Sequence, residues 1–255
     1  MSGFSAIVTG AARGIGLATT RVLVDKGYRV AMVDWDGAEL TLAANQFGDQ
    51  VLPLELDISS PEDAQQIASR TQAAFGGCNA LINNAGIADF GPIAETSFER
   101  WRRVMAVNLD GTFLVSQAVT PLLAESAKSA HASIVNIASI SGLRASTLRV
   151  AYGTSKAAVK QLTLQQAAEL GELGIRANCV APGPVDTKLA LAVHSKEIRA
   201  AYHDAIALNR YGNEDEIAAA ICFLCSPEAS YVTGQILAVD GGFDAIGIGL
   251  PALRN

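Results

Sequence analysis

The sequence predicts an α/β fold in which a doubly wound parallel sheet of about seven strands is covered by helices on both faces. Two observations predict it. Short β-rich segments alternate with amphipathic stretches of helical period, and several of these segments are apolar almost throughout, which is typical of parallel strands buried on both faces. The predicted strands are Ala6–Gly10, Arg29–Asp34, Val51–Asp57, Ala80–Asn84, Ser133–Ser139, Ile175–Ala181 and Ile236–Val239.

Helix start signals lie between these strands. A capping residue precedes a first-turn proline in one case and faces a glutamate three residues later in two others. These pairs are Ser60 with Pro61, Thr96 with Glu99, and Asn213 with Glu216. The repetition of strand, helix and strand predicts right-handed crossovers, and in such sheets ligands bind outside the carboxyl ends of the strands.

The composition indicates a well-packed cytoplasmic protein. Of the 255 residues, 50% are hydrophobic and 17% are charged, which excludes an intrinsically disordered chain. The net charge of −6 and the scattered basic residues argue against a nucleic-acid-binding protein, which needs a basic surface. No apolar run reaches the roughly 18 residues of a membrane-spanning helix, and the first residues lack the features of a targeting signal. We therefore expect neither a membrane nor a nucleic-acid partner.

Two of the four cysteines, Cys222 and Cys225, lie close together in a segment predicted to be helical. They are either half of a zinc or redox site or two small buried residues one helical turn apart. No second pair and no histidine at ligand spacing accompanies them, which favours burial without a metal.

A glycine-rich turn follows the first predicted strand. Gly10, Gly14 and Gly16 form the pattern G-x-x-x-G-x-G before a helix. Glycines here let the backbone approach a pyrophosphate, and the helix N-terminus supplies N–H donors. The same glycines also occur in plain turns, but their position between strand and helix favours a nucleotide site.

The second predicted strand ends at Asp34, 18 residues after Gly16. A carboxylate there can accept both ribose hydroxyls of an adenosine and repels a 2′-phosphate. Arg13 alone would favour NADP, but it would have to overcome Asp34. The alternative is a strand-end aspartate that caps the next turn. We predict NAD as the cofactor.

Tyr152 and Lys156 stand four residues apart at the start of a predicted helix, so both side chains project from one face. A phenol has a pKa near ~10 and becomes an acid–base group near neutral pH only when a cation stabilises the phenolate. Lys156 is spaced to do this, and the hydroxyl of Ser139 is a candidate to hold a substrate oxygen. Taken alone, a tyrosine and a lysine at this spacing are a common pair on a helix face.

At this point the sequence resembles the short-chain dehydrogenase/reductase family over essentially the whole chain. The matches follow the order and spacing of that family. They are Thr9-Gly10 through Gly14-Ile15-Gly16, Asn83-Asn84-Ala85-Gly86, Asn108 with Gly111, Ser139, Tyr152 with Lys156, and Pro182-Gly183 followed by Thr187. The resemblance implies a single Rossmann-type domain spanning residues 1–255, because cofactor residues occur on both sides of the catalytic ones.

The resemblance also implies catalytic roles. Tyr152 is the general acid–base, Lys156 lowers its pKa and binds the nicotinamide ribose, Ser139 orients the substrate oxygen, and Asn108 holds a water that links Lys156 to a proton relay. Together with the motifs it gives a set of cofactor-binding residues at the strand ends. They are Gly10, Arg13, Gly14, Ile15, Gly16, Asp34, Asp57, Ile58, Asn84, Ala85, Gly86, Tyr152, Lys156, Pro182, Gly183, Val185 and Thr187.

The implied function is NAD-dependent interconversion of a secondary alcohol and a ketone, in which Tyr152 exchanges the hydroxyl proton. The substrate is a polyol, a hydroxy acid or a cyclic alcohol, and the resemblance favours a homotetramer. One alternative is a 3-oxoacyl-thioester reductase, which typically uses NADPH, against Asp34. A second is a protein that senses NAD(H) without turnover, against which the complete catalytic set argues.

Substrate residues are predicted between the catalytic motifs and in the segment that follows them. Ile140 offers apolar contact. Arg144 and Arg149 either bind an anionic group of the substrate or lie at the surface or a subunit interface. His203 belongs to a lid predicted at about 188–210, and its alternative is exposed helix surface. An apolar, glycine-rich extension at about 243–255 is expected to pack on a neighbouring subunit or back on its own chain.

Overall fold

A seven-stranded, all-parallel sheet runs through the chain. The computed structural model describes residues 3–187 and 195–246. The predicted fold class is confirmed, and each predicted strand end lies within two residues of the observed one. The strands are β1 (Ser5–Thr9), β2 (Arg29–Asp34), β3 (Val51–Glu55), β4 (Ala80–Asn83), β5 (Ala132–Ile137), β6 (Ile175–Pro182) and β7 (Ile236–Val239).

The sheet is buried on both faces because its strands are apolar at successive positions. Ala6 and Val8 of β1 pack into the core on one face, whereas Ile7 packs into the core on the other. The helices are α1 (Gly14–Asp25), α2 (Gly37–Ala44), α3 (Pro61–Phe75), α4 (Phe98–Met105), α5 (Gly111–Ala127), α6 (Val150–Leu170), α7 (Lys196–Ala205) and α8 (Glu214–Cys225). The first face of the sheet is covered by α1, α2 and α8, and the second by α3, α5 and α6.

The order of the strands creates a switch point between β1 and β4. From β1 the sheet grows through β2 and β3 in one direction and through β4 to β7 in the other. The connections that leave β1 and β4 therefore diverge, and a crevice opens at the carboxyl edge between them. The glycine-rich turn and the Asn84–Gly86 segment follow these two strands directly.

Two of the three predicted helix starts are confirmed. The hydroxyl of Ser60 accepts the N–H of Asp63 at the start of α3, and Asn213 and Glu216 form a reciprocal capping box at α8. The prediction for Thr96 is wrong by one residue, since Ser97 caps α4 by accepting the N–H of Arg100. A short 3₁₀ turn lies just before it, and the hydroxyl of Thr96 donates to the carbonyl of Pro92 instead.

Cys222 and Cys225 lie in α8 with their side chains in the hydrophobic core. Burial raises the pKa of Cys222 to about 12 and raises that of Cys225 well above its ordinary value. Both thiols are therefore protonated at neutral pH, as expected of two small core residues.

Parts of two predicted segments lie outside the described residues. Of the predicted lid, residues 188–194 are outside, and α7 forms most of the remainder. Of the predicted extension, residues 247–255 are outside. Within the ranges 3–187 and 195–246, no helix is long and apolar enough to cross a membrane.

Candidate active site

The glycine-rich turn between β1 and α1 forms a backbone cradle. Gly10 and Gly14 have positive φ values of 64° and 59°, which favour glycine. A Cβ on Gly16 would lie 2.0 Å from the carbonyl oxygen of Gly10, so only glycine fits there. Arg13 precedes the helix without a side-chain cap, and the first turn of α1 contains no acidic residue. The exposed N–H groups and the positive end of the helix dipole fit a pyrophosphate.

Asn84, which follows β4, locks this turn in place. Its side-chain amide donates to the carbonyls of Thr9 (3.0 Å) and Gly10 (3.1 Å). The hydroxyl of Thr9 accepts the N–H groups of Asn84 and Ala85, each at 3.0 Å. The carboxyl ends of β1 and β4 are therefore joined by side-chain hydrogen bonds, which hold the cradle next to Gly86.

A cleft of about 310 Å³ lies beside the cradle and has the features of an adenosine pocket. Asp34 lies at its base and is 8% exposed, and its two oxygens accept the N–H groups of Ala12 and Asp36, each at 3.1 Å. Arg13 is ion-paired with Asp36, which neutralises its charge. The described residues that line this cleft are Gly10, Asp34, Trp35, Leu56, Asp57, Ile58, Ser59, Ala85, Gly86, Ile87, Arg103, Ala106 and Val107.

Asp57 and Ile58, two of the predicted cofactor-binding residues, line this pocket. The Oδ1 atom of Asp57 accepts hydrogen bonds from the N–H (2.9 Å) and the hydroxyl (2.8 Å) of Ser59. One carboxylate oxygen of Asp57 therefore stabilises the turn that follows β3. Trp35, which sequence reasoning did not select, is 73% exposed at the rim. The signal for it was a large aromatic residue directly after the strand-end Asp34.

A separate cleft of about 250 Å³ brings Ser139, Tyr152 and Lys156 together at the ends of β5 and α6, and we refer to it as the catalytic cleft. Burial raises the pKa of Tyr152, while a hydrogen bond from Ser139 and the positive charge of Arg149 lower it. The described residues that line this cleft are Ile15, Asn84, Gly86, Ile87, Ala88, Phe90, Ile137, Ala138, Ser139, Ile140, Ser141, Arg149, Tyr152, Lys156, Pro182, Gly183, Pro184, Val185, Thr187 and Tyr202.

Lys156 is almost completely buried beneath the tyrosine. Its Nζ atom lies 5.9 Å from the centroid of the Tyr152 ring and donates to the carbonyl of Ile137 at 2.8 Å. Burial lowers the pKa of Lys156 to about 8. A cation placed here stabilises a phenolate in preference to a neutral phenol.

Asn108 lies beside Lys156 and fixes the neighbouring backbone at Ile87. It lies in a π-helical turn (Ala106–Asp110) between α4 and α5, a form that is frequent at functional sites. Its amide nitrogen donates to the carbonyl of Ile87 (2.9 Å) and to the hydroxyl of Ser155 (3.0 Å), and its oxygen accepts the N–H of Ile87 (2.8 Å). A Cβ on Gly86 would lie 3.2 Å from both Asn108 and Lys156, so the three groups are packed side by side.

Comparisons with known proteins identify the relatives of this chain. The family model described as enoyl-(acyl carrier protein) reductase matches residues 10–244. The chain belongs to the short-chain dehydrogenase/reductase family. Its resemblance to that family is therefore confirmed over almost the whole described chain.

Two relatives and one solved structure illustrate the match. Galactitol 2-dehydrogenase (L-tagatose-forming) of Cereibacter sphaeroides is 40% identical over 246 residues, which cover 95% of this chain and 96% of the relative. The 3-oxoacyl-[acyl-carrier-protein] reductase FabG of Vibrio cholerae is 33% identical over 242 residues, which cover 95% and 98%. The crystal structure of gox2181 matches with a TM-score of 0.92 at 33% identity, over 96% of this chain and 97% of that chain.

Two predicted substrate residues of this dehydrogenase/reductase lie away from the catalytic cleft. The Nε atom of Arg144 donates to Asp244 at 2.7 Å, and its guanidinium also donates to the carbonyls of Asp244 and Ile246. The ring of His203 packs edge-on against Tyr211 at 5.5 Å. Neither residue is among the described lining residues, whereas Ile140 and Arg149 are.

Several described residues that line the same cleft are not among the predicted site residues, and two of them are aromatic. Phe90 follows the Asn84–Gly86 segment, and Tyr202 comes from α7 next to His203. The sequence signal for Tyr202 was its place in the lid predicted at about 188–210. Phe90 had no sequence signal, since it lies in an irregular loop.

Proposed function

We propose that this protein is an NAD-dependent oxidoreductase that interconverts a secondary alcohol and a ketone, with Tyr152 as the acid–base group. The observation that carries the proposal is the grouping of Ser139, Tyr152 and buried Lys156 in one cleft, beside a glycine cradle that fits a pyrophosphate. The 40% identical relative, whose name describes a polyol dehydrogenase, supports a secondary alcohol as the substrate.

The reaction follows from the charges around Tyr152. The hydroxyl of Ser139 donates a hydrogen bond to the substrate oxygen and holds it against Tyr152. As a phenolate, Tyr152 takes the hydroxyl proton while the carbinol carbon loses hydride, and the alcohol becomes a ketone. The ammonium of Lys156 stabilises the phenolate until the proton arrives. A bound nicotinamide supplies the hydride acceptor, or the donor in the opposite direction.

The chain offers a complete set of groups for that cofactor. The cradle of Gly10, Gly14 and Gly16 would hold the pyrophosphate, Asp34 the adenosine ribose, and Lys156 the nicotinamide ribose. The loop from Pro182 to Thr187 lines the cleft at the nicotinamide end. The ion pair between Arg13 and Asp36 favours NAD, since it engages one of the cations, Arg13 and Arg103, that could bind a 2′-phosphate near Asp34.

The experiment that tests this function is a panel of alcohols and ketones assayed with NAD(H) and NADP(H). It includes polyols, hydroxy acids, cyclic alcohols and a 3-oxoacyl thioester. We expect NAD-linked oxidation of at least one secondary alcohol and faster turnover with NAD than with NADP at equal concentration. Preferred reduction of the thioester with NADPH would establish the alternative reductase, and cofactor binding without any turnover would establish a sensor.

Replacing Asp34 by asparagine tests the cofactor assignment. The charge that repels a 2′-phosphate is lost while the side chain keeps its size, so the ratio of kcat/KM for NAD over NADP should fall by about tenfold or more. Steady-state kinetics with both cofactors measures this ratio. Asp49→Asn is the matched control, because it removes one exposed negative charge outside the pocket and should leave the ratio unchanged. An unchanged ratio in the Asp34 variant would contradict the assignment.

We further propose that the protein is a cytoplasmic homotetramer, as the family resemblance implies. Light scattering of the purified protein should give four times the chain mass of 26.5 kDa. Removing residues 246–255 should lower the number of chains per particle if this apolar segment packs on a neighbouring subunit. An unchanged number would mean that the extension does not hold the assembly together.

A further inference from the structure

Arg149 is a cation of the catalytic cleft for which the described residues supply no ion-pair partner. It is the N-cap residue of α6, three residues before Tyr152, and its guanidinium carbon lies 4.4 Å from the centroid of the Phe90 ring and 5.6 Å from that of Tyr152. The ion pairs among the described residues do not include it. The segments 188–194 and 247–255 contain no aspartate or glutamate that could pair with it.

The fold holds this cation in place rather than leaving it to solvent. The N–H of Gly91 donates to the carbonyl of Leu148 at 3.0 Å, which ties the Phe90 loop to the start of α6. Leu148 has a φ of 62°, a strained conformation for leucine that tends to occur at functional sites. Arg100 fixes the other side of the loop by donating to Asp89 (2.7 Å) and to the carbonyl of Phe90 (2.8 Å).

The charge of the cleft is opposite to the charge of the protein. The whole chain carries −6, yet the described residues that line the cleft include Arg149 and Lys156 and no carboxylate. Lys156 lies beneath Tyr152 and is engaged with the carbonyl of Ile137. In the proposed function its other donors serve the nicotinamide ribose and the phenolate. Arg149 is therefore the cation left for the substrate, and a guanidinium supported by an aromatic ring binds a planar carboxylate through two parallel hydrogen bonds.

Arg144, in the same connection between β5 and α6, has a structural role instead. Its guanidinium is held by the carboxylate and carbonyl of Asp244 and by the carbonyl of Ile246. Its charge is neutralised within the chain, and it lies outside the cleft. The two arginines are five residues apart in sequence, but only Arg149 faces the site where the substrate oxygen meets Tyr152.

We propose that the substrate carries a carboxylate, which Arg149 binds while the carbinol of the same molecule faces Ser139 and Tyr152. Among the substrate classes open to the proposed function, this selects hydroxy acids and carboxylated cyclic alcohols over neutral polyols. The inference rests on that function for the reaction, but the anion-binding role of Arg149 rests on the cleft alone.

The test compares hydroxy acids with their primary amides, which have the same shape without the charge. The wild-type enzyme should have the higher kcat/KM with the acids. In Arg149→Gln, the ratio of kcat/KM for acid over amide should fall by about tenfold or more, mainly through KM of the acid. Arg149→Lys should keep part of the acid preference, because the charge remains while the planar fork is lost. Arg144→Gln is the matched control and should leave the ratio unchanged.

The ratio is the deciding quantity because Arg149 also lowers the pKa of Tyr152. Losing that effect slows acid and amide alike, so an equal loss for both substrates would overturn the proposal and leave Arg149 as a positioning residue for Tyr152. A wild-type preference for the amides would overturn it as well.

A binding experiment separates the anion site from the reaction. Binding of a keto acid and of its amide to the Tyr152→Phe variant with NADH, measured by calorimetry, needs no turnover. Absence of turnover with every alcohol, together with Arg149-dependent binding of the acid, would refute the proposed function and retain the anion site.

Discussion

Replacing Tyr152 by phenylalanine should lower kcat by about 10³-fold, within the range by which positioned acid–base groups accelerate reactions. The substitution removes one oxygen and retains the ring that packs near Arg149 and Lys156. No other described residue of the cleft combines an ionisable hydroxyl with a hydrogen bond from Ser139. The variant therefore loses the group that exchanges the substrate proton but keeps the shape of the cleft.

The measurement is turnover of the best alcohol from the substrate panel, together with the dissociation constant of NADH from its fluorescence. We expect turnover to be lost and the dissociation constant to be unchanged, because the cradle and Asp34 are untouched. Tyr231→Phe is the matched control, since Tyr231 is fully exposed on a distant loop. Turnover in the Tyr152 variant within about tenfold of the wild type would mean that another group transfers the proton, since tenfold lies below the usual contribution of an acid–base group.

Replacing Lys156 by methionine should lower activity and yet stabilise the fold. Activity should fall by roughly a hundredfold or more, because the cation that stabilises the phenolate is gone. Stability should rise because burial lowers the pKa of Lys156 from its ordinary 10.5 to about 8. At pH 7 the charged lysine therefore costs the folded state about 3 kcal/mol relative to the unfolded chain.

The sign of the pH dependence follows from the same shift. Below pH 8 the lysine is protonated in both states, and the full cost opposes folding. As the pH rises from 8 to 10.5, the folded state loses the proton first, so the cost fades and is gone above 10.5. The methionine variant also leaves the carbonyl of Ile137 without its donor, at a cost of about 1–2 kcal/mol. The net gain at pH 7 is about 1–2 kcal/mol.

Urea unfolding of the wild type and the variant at pH 7 and at pH 10 measures this gain and its decline. Lys160→Met is the matched control, because Lys160 lies one turn further along α6 and is partly exposed. It removes the same charge and should give no comparable gain. A variant at position 156 that is less stable than the wild type at pH 7, or a gain that does not shrink with pH, would contradict the prediction.

The sequence by itself determined the strands and the glycine-rich turn, because both depend on local spacing, whereas the roles predicted for Tyr152 and Lys156 came from the family resemblance. Apolar runs locate strands that are buried on both faces, as in β1. The glycines that follow β1 stand where a side chain would meet the backbone. Tyr152 and Lys156 share a helix face because they are four residues apart. The start of α4 shows the limit of such reasoning, since a 3₁₀ turn moved the cap from Thr96 to Ser97.

Only the tertiary structure decided which arginine faces the cleft. Arg144 and Arg149 are equivalent in a sequence pattern, and their difference arises from contacts that are distant along the chain. Asp244, which neutralises Arg144, is 100 residues away, and Phe90, which supports Arg149, comes from a loop after β4. Charge pairing of this kind depends on distances through space that local periodicity does not encode. The proposed reaction therefore follows from the motifs, and the proposed substrate class from the packing around them.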